Sequence, residues 1–267
     1  MLVMKSNLTS CTRTTVVGPR ALFAACLLGL LSGCATSNGI NDATTSPTNA
    51  AQFNAELGAS YLQRGDLDQA RLKLEKALEQ DRRNALAHVS FARLQQEINQ
   101  YDRAQTHFKR ALVLQPDEAS HSNHYGVFLC ETGDIDEAVA QFTNAASNPF
   151  YQTPEFALDN AGLCLLDAER LSQAETYLRD ALRLNPRFPN ALLHMADLTF
   201  RQQRLDIADA YLGRYERYAS SSAASLLLGM NIKRATGDQD AAKGYANRLL
   251  NDFPKSRQAG EYLLQPL

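Results

Sequence analysis

Two cysteines, Cys130 and Cys164, are the residues best placed by type and spacing to form a covalent cross-link in this chain. An oxidising compartment would permit a disulfide between them. Such a bond would lower the chain entropy of the unfolded state, and this would stabilise the fold by at most about 4 kcal/mol. The alternative is two small buried thiols, which are common in protein cores. The disulfide is the favoured hypothesis, because Cys11 and Cys26 lie in a segment assigned below to a cleaved signal and Cys34 is assigned to acylation.

A second pair of residues, His121 and His124, could approach a metal ion from one face of a helix. Two ligands do not define a zinc site, and neither a carboxylate nor a cysteine pair completes the set. We therefore interpret them as a surface pair near a helix start, and we predict no metal site.

The remaining sequence offers no catalytic constellation. It contains no glycine-rich phosphate loop, nucleophile elbow or HExxH motif, so we predict neither catalytic residues nor a cofactor. With 27 basic and 29 acidic residues, the chain also lacks the positive charge of a nucleic-acid-binding surface. The function classes that remain are those that act by binding proteins, and we predict that the chain is not an enzyme.

The N-terminus has the order of features typical of a secretory signal. Basic residues and no acids precede a short apolar run at 21–31, and small residues then lead to Cys34. The segment resembles a bacterial lipobox, which implies cleavage after residue 33 and acylation of the Cys34 thiol with chains such as palmitate. An ordinary cleaved signal or a chance cysteine is the alternative. Removing residues 1–33 takes away three basic residues and no acid, so the net charge changes from −2 to −5.

The residues after Cys34 are small and polar, without apolar periodicity, up to residue 50. This composition predicts a flexible tether over 34–50. Ala35 follows the cysteine, which resembles the outer-membrane class of lipoproteins rather than the class retained at the inner membrane.

From residue 51 the chain repeats itself. A small residue recurs at spacings of 34 or 36 residues, and in every repeat it is an alanine: Ala70, Ala104, Ala138, Ala174, Ala208 and Ala242. Apolar residues follow at helical spacing, glycine stands at several turns, and proline follows the second helix in three repeats. A glycine or alanine twelve residues before each alanine lets two helices approach closely, with Met230 as the exception.

This pattern predicts an all-α, right-handed tetratricopeptide-repeat (TPR) superhelix, since one helix pair cannot bury its own apolar face. The predicted repeats are 51–84, 85–118, 119–152, 155–188, 189–222 and 223–256, and 257–267 is predicted to be a capping helix. Two extra residues fall within 148–154, which contains two prolines.

The first helix of each repeat should line an inner groove, where a solvated surface would be polar. Apolar residues at these positions predict a partner-binding groove, and they are Val127, Phe156, Leu163, Leu166, Leu193, Phe200 and Leu227. The alternative is that curvature buries several of them against neighbouring helices.

The segments NHYGVFLCETGDIDEAVAQF (123–142) and DNAGLCLLDAERLSQAETYLRDALRLNP (159–186) carry a more specific likeness. They resemble the type IV pilus biogenesis and stability lipoproteins, the PilF/PilW family, over nearly the whole mature chain. The resemblance implies an outer-membrane lipoprotein that faces the periplasm and acts as a pilotin. In that role it would help the pilus secretin to reach the outer membrane and to multimerise there.

The sequence thus predicts a lipid-anchored monomer whose groove binds the secretin or another pilus assembly protein, without nucleic acid. The alternative is a general periplasmic TPR scaffold that regulates cell-wall or envelope enzymes.

Overall fold

The computed structural model describes residues 47–264, which form thirteen α-helices and no strand. The helices are α1 (Pro47–Gln63), α2 (Leu67–Gln80), α3 (Ala85–Glu97), α4 (Tyr101–Leu114), α5 (Ala119–Thr132), α6 (Ile135–Ser147), α7 (Pro154–Asp167), α8 (Leu171–Leu184), α9 (Pro189–Arg201), α10 (Leu205–Tyr218), α11 (Ala223–Ala235), α12 (Gln239–Asp252) and α13 (Arg257–Leu264). The predicted all-α fold is confirmed.

Helices α1 to α12 form six pairs, because each odd-numbered helix packs most extensively against the even-numbered helix that follows it. Connectors of a few residues join successive helices, and such short connectors place neighbouring helices antiparallel. Each odd-numbered helix also packs against the next odd-numbered helix, whereas the backbones of the even-numbered helices stay apart within 47–264 and only side chains bridge them, as in the hydrogen bond between Thr143 of α6 and Tyr177 of α8. The odd-numbered helices therefore form an inner row, and the even-numbered helices form an outer row.

Small residues sit where the two helices of a repeat cross. The six recurring alanines are completely buried. A Cβ atom on Gly58, Gly126 or Gly162 would come within 2.6–2.7 Å of a side chain on the following helix. In the sixth repeat it is Gly229, one residue before Met230, that makes this close approach, because Tyr245 occupies the space opposite it.

The turns within repeats need a left-handed backbone conformation. Glycine supplies it in three repeats, at Gly65, Gly133 and Gly237, where φ lies between 76° and 92°. In the other three repeats, Asn99, Glu169 and Gln203 adopt φ values of 56–60°. That conformation is sterically costly for residues that carry a Cβ atom.

The first and last helices differ from the predicted boundaries. Helix α1 starts at Pro47, so residues 47–50 belong to a helix and not to the predicted tether. Helix α13 packs on α11 and α12, and residues 265–267 lie outside the described part. The predicted signal peptide, Cys34 and the rest of the tether also lie outside it.

None of the described helices combines the length and the apolar character needed to span a bilayer.

Candidate functional site

One recess on the inner row lies where α9, α11 and α13 come together. It is a cavity of about 360 Å³. Its apolar surface comes from the predicted groove residues Leu193, Phe200 and Leu227, together with Leu228. The repeat spacing brings these residues together, because equivalent positions on successive inner helices lie side by side.

The three predicted groove residues in this cavity are only partly buried. Leu193 and Phe200 pack against the core of the fifth repeat, and Leu227 packs against the cores beneath α12 and α13. Each therefore has one side fixed by the core and another side available in the recess. A recess with such fixed apolar side chains on one side suits an apolar side chain of a partner segment.

Charged groups surround the apolar surface. The Arg201 guanidinium donates from Nη2 to Asp197 Oδ2 at 2.8 Å and from Nη1 to Glu169 Oε1 at 2.8 Å. The hydrogen bond with Asp197 raises the pKa of Arg201, so this arginine stays charged. Arg257 and Glu261 also line the cavity and make no ion pair with any residue in 47–264. The rim thus carries both signs of charge and suits a partner of mixed polarity.

Two polar contacts fix the inner helices relative to each other. Asp159 is buried, and its Oδ1 accepts a hydrogen bond from His194 Nδ1 at 2.8 Å. The Asn160 side chain donates to Asn123 Oδ1 at 3.0 Å. These contacts join α5 to α7 and α7 to α9, so the groove surface is held in one arrangement.

The other predicted groove residues lie away from the cavity. Val127 is partly buried against the core of the third repeat, and Leu163 is partly buried on α7. Phe156 lies at the start of α7 and packs against Phe188, with ring centroids 4.6 Å apart. Leu166 is 0% exposed within the core of the fourth repeat. Its assignment to the groove surface is wrong, because the close packing of α7 and α9 leaves it no contact with solvent.

Cys130 on α5 and Cys164 on α7 are joined by a disulfide in the structure, with their Cα atoms 5.8 Å apart. That separation lies within the range that a disulfide spans. The bond crosses between the third and fourth repeats, the same pair of repeats that the insertion at 148–153 separates. It therefore holds two inner helices together where the connector between repeats is longest.

The histidine pair is not a surface pair. His121 is 4% exposed, and its Nδ1 atom has no hydrogen-bond partner among residues 47–264. His124 is partly buried and binds the Ser120 carbonyl oxygen through Nδ1 at 2.7 Å. The helix-start location is right, but the fold buries His121 and partly buries His124. Among the described residues, no group of three or more histidine, cysteine or carboxylate side chains is arranged to hold a metal ion.

Sequence reasoning did not identify the charged members of the cavity, Arg201, Arg257 and Glu261. Arg257 and Glu261 lie on α13, whose position against α11 is a tertiary contact. Asp197 stands one turn after Leu193 and one turn before Arg201, so helical spacing along α9 was the available signal for that pair.

Comparison with known proteins shows repeats along most of the described chain. Models of the tetratricopeptide repeat match residues 61–123, 160–222 and 223–256. The type IV pilus assembly protein PilF of Pseudomonas aeruginosa is 32% identical over 234 residues, which cover 87% of this chain and 93% of that protein.

Solved structures of type IV pilus proteins superpose on this chain. PilW, described as a widely conserved type IV pilus biogenesis factor, superposes with a TM-score of 0.72 at 33% identity, over 80% of this chain and 98% of that one. The structure of P. aeruginosa PilF gives a TM-score of 0.69 at 31% identity, over 82% of this chain and 98% of that one. With its six helix pairs, buried crossing alanines and these relatives, the chain belongs to the PilF/PilW family of TPR proteins of type IV pilus biogenesis.

Proposed function

We propose that this chain is a lipoprotein, anchored through Cys34 in the outer membrane and facing the periplasm. There it binds the pilus secretin or another pilus assembly protein and promotes secretin localisation and multimerisation. It works by binding and not by catalysis. Membership of the PilF/PilW family supports the assignment to pilus biogenesis, and the order of features before Cys34 supports the anchor.

The observation that carries the binding role is the cavity formed by α9, α11 and α13. It presents apolar surface from Leu193, Phe200 and Leu227 on helices that the core and a buried polar contact hold in place. Surface of this kind on a repeat stack is suited to an apolar anchor residue of a partner segment.

A photocrosslinking experiment tests the proposal directly. A photoreactive phenylalanine analogue replaces Phe200 in the full chain, and crosslinked products are isolated from membranes and identified by mass spectrometry. The control carries the analogue at Leu72, an exposed residue on outer helix α2. We expect the secretin or another pilus assembly protein to be captured from position 200 and not from position 72.

A second measurement examines the consequence in the cell. Substituting serine at Leu193, Phe200 and Leu227 should lower the amount of secretin multimer, whereas Leu72→Ser should leave it unchanged. Circular dichroism melting checks that the triple variant is folded. Normal multimers with a folded triple variant would contradict the proposal, and capture of a cell-wall enzyme at position 200 would favour the general scaffold instead.

A further inference from the structure

In the third to fifth repeats, the exposed large apolar side chains all lie at one edge of the helix stack. Successive helices alternate in direction, so the ends of the even-numbered helices and the starts of the odd-numbered helices lie at the same edge, which we call the inter-repeat edge. Hydrogen bonds across it confirm the placement, since Asn148 Nδ2 donates to the Asp117 carbonyl oxygen in the neighbouring connector at 2.8 Å.

Of the eleven large apolar residues that the described structure leaves exposed, six lie at this edge. They stand in the first two turns of an odd-numbered helix, in the last turn of an even-numbered helix or in a connector between repeats, and they are Phe53, Val113, Phe150, Phe156, Leu184 and Tyr218. By the same definition the opposite edge has five, but none of them lies in the third to fifth repeats, and they are Leu72, Ile98, Tyr101, Leu263 and Leu264. Packing does not explain why the third to fifth repeats expose large apolar residues at this edge alone, because a stack needs its apolar surface between helices and not along their ends.

The connector at 148–153 holds its apolar residue outward. Phe150 is 86% exposed, the most exposed large apolar residue in the described chain. Its backbone N–H donates to Asn148 Oδ1 at 2.9 Å, and its carbonyl oxygen accepts from Gln152 Nε2 at 3.1 Å. The surrounding hydrogen bonds therefore fix Phe150 in a position where it buries little of its own surface.

Arginines without acidic partners accompany the apolar residues at the fourth and fifth repeats. The Arg187 guanidinium lies 5.7 Å from the centre of the Tyr218 ring, and Arg214 donates to the Pro186 carbonyl oxygen at 2.9 Å. Neither of these two, nor Arg217, forms an ion pair within residues 47–264. The neighbouring carboxylate Glu216 is already engaged by the Tyr245 hydroxyl at 2.8 Å.

The position of the chain entry makes a lipid surface the best match for this edge. The described structure begins at Pro47, where α1 enters from this same edge, and only twelve residues separate Pro47 from Cys34. Twelve residues span at most about 40 Å when fully extended. An acylated Cys34 would therefore hold the edge within tens of ångströms of the membrane, so even a weak surface affinity would be sufficient.

We propose that the inter-repeat edge docks onto the anionic surface of the membrane that holds the lipid anchor, with Phe150, Leu184 and Tyr218 in the interfacial layer and Arg187 and Arg217 at lipid phosphates. Aromatic rings and arginines are suited to that layer. Basic residues next to an anionic bilayer each contribute favourable electrostatic energy. Because this edge consists of helix ends, docking would stand the helices upright on the membrane surface, with the inner groove open to the periplasm. The inference rests on the anchor of the proposed function.

The chain contains no tryptophan, so single substitutions give unique fluorescent reporters. Tyr218→Trp and Phe150→Trp report on the inter-repeat edge. Tyr101→Trp is a matched control at the opposite edge, since Tyr101 is 44% and Tyr218 is 45% exposed. The full lipidated chain is reconstituted into vesicles of phosphatidylethanolamine and phosphatidylglycerol with brominated acyl chains. Quenching and emission wavelength are then measured.

We expect blue-shifted, quenched emission at positions 150 and 218 and water-like emission at position 101. Adding Arg187→Gln and Arg217→Gln to the Tyr218→Trp variant should lower the docked-to-undocked ratio about tenfold or more. The control pair, Arg64→Gln and Arg103→Gln at the opposite edge, should leave that ratio unchanged.

Equal emission at all three positions in a chain that floats with the vesicles would overturn the edge inference and leave the anchor intact. A chain that does not float with the vesicles would contradict the anchor itself, and with it this inference.

Discussion

The Nδ1 atoms of His88 on α3 and His107 on α4 lie 2.9 Å apart, so the two rings share one hydrogen bond across the second repeat. His88 Nε2 lies 3.1 Å from the Arg82 carbonyl oxygen, which can only accept. Neutral His88 therefore donates from Nε2 and accepts at Nδ1, and His107 donates. The arrangement excludes protonation of both rings at once, since two N–H groups would then face each other, and burial lowers the pKa of each ring.

The stability of this repeat should fall in acid. Burial, with the neighbouring His88 and Arg103, lowers the pKa of His107 to about 4, against about 6.5 in an unfolded chain. Between those values the unfolded chain binds more protons. The contribution of neutral His107 to the free energy of unfolding is therefore complete above about pH 6.5 and decreases as the pH falls towards about 4. We expect a loss of about 1 kcal/mol in the free energy of unfolding, because His107 is partly exposed.

Urea unfolding at a series of pH values checks this, with the His107→Gln variant beside the unmodified chain. The variant should show the shallower slope between about pH 6.5 and 4. Identical slopes would show that this histidine pair does not contribute.

The helix crossing in the fourth repeat should not tolerate one added methyl group. A Cβ atom on Gly162 would come within 2.6 Å of Leu178, whereas a Cβ atom on Gly213 in α10 would meet nothing within 4 Å. Gly162→Ala should therefore destabilise the fold by about 1–3 kcal/mol through overpacking. Gly213→Ala should stabilise it by up to about 1 kcal/mol, since alanine is the better helix former. Thermal melts of the two variants should move in opposite directions, and a shared direction would refute the packing argument.

Gln203 occupies a turn conformation that suits glycine, with φ of 60°. Replacing it with glycine removes a left-handed cost of about 1–2 kcal/mol and adds a smaller entropic cost. We expect Gln203→Gly to raise the free energy of unfolding by about 0.5 kcal/mol or more. The converse change at the equivalent turn, Gly133→Ala, should lower it by about 1 kcal/mol. A stability loss on Gln203→Gly in denaturant titration would count against this explanation.

Reducing the bond between Cys130 and Cys164 should weaken the link between the third and fourth repeats. The closed loop of 34 residues corresponds to at most about 4 kcal/mol of chain entropy. The free energy of unfolding is measured for the oxidised chain, for the chain in dithiothreitol and for the variant with Cys130→Ser and Cys164→Ser. The reduced chain and the variant should be equally stable, and both should be less stable than the oxidised chain. Peptide mapping without reductant should recover the linked peptide, whereas two free thiols would contradict the bond.

Periodicity was sufficient to predict the fold class. The alanines from Ala70 to Ala242 mark helix crossings, and burial of the smallest side chains is a local steric requirement that leaves a direct trace in the sequence. The same register predicted that Leu193, Phe200 and Leu227 share one face, and the structure brings them into one cavity. The position of Leu166 along its helix could not show that it is buried while those three residues are partly exposed. Its burial depends on how closely α7 and α9 approach each other.

What the sequence determined, then, is the repeat, its turns and the residues that could face inward, since these follow from spacing along one helix. Only the tertiary structure decided which of those residues remain exposed, that α13 adds Arg257 and Glu261 to the cavity, and that the third to fifth repeats expose large apolar side chains at one edge alone. These features arise between segments far apart in the chain. They depend on the angle and distance at which helices pack, which a linear pattern does not encode residue by residue.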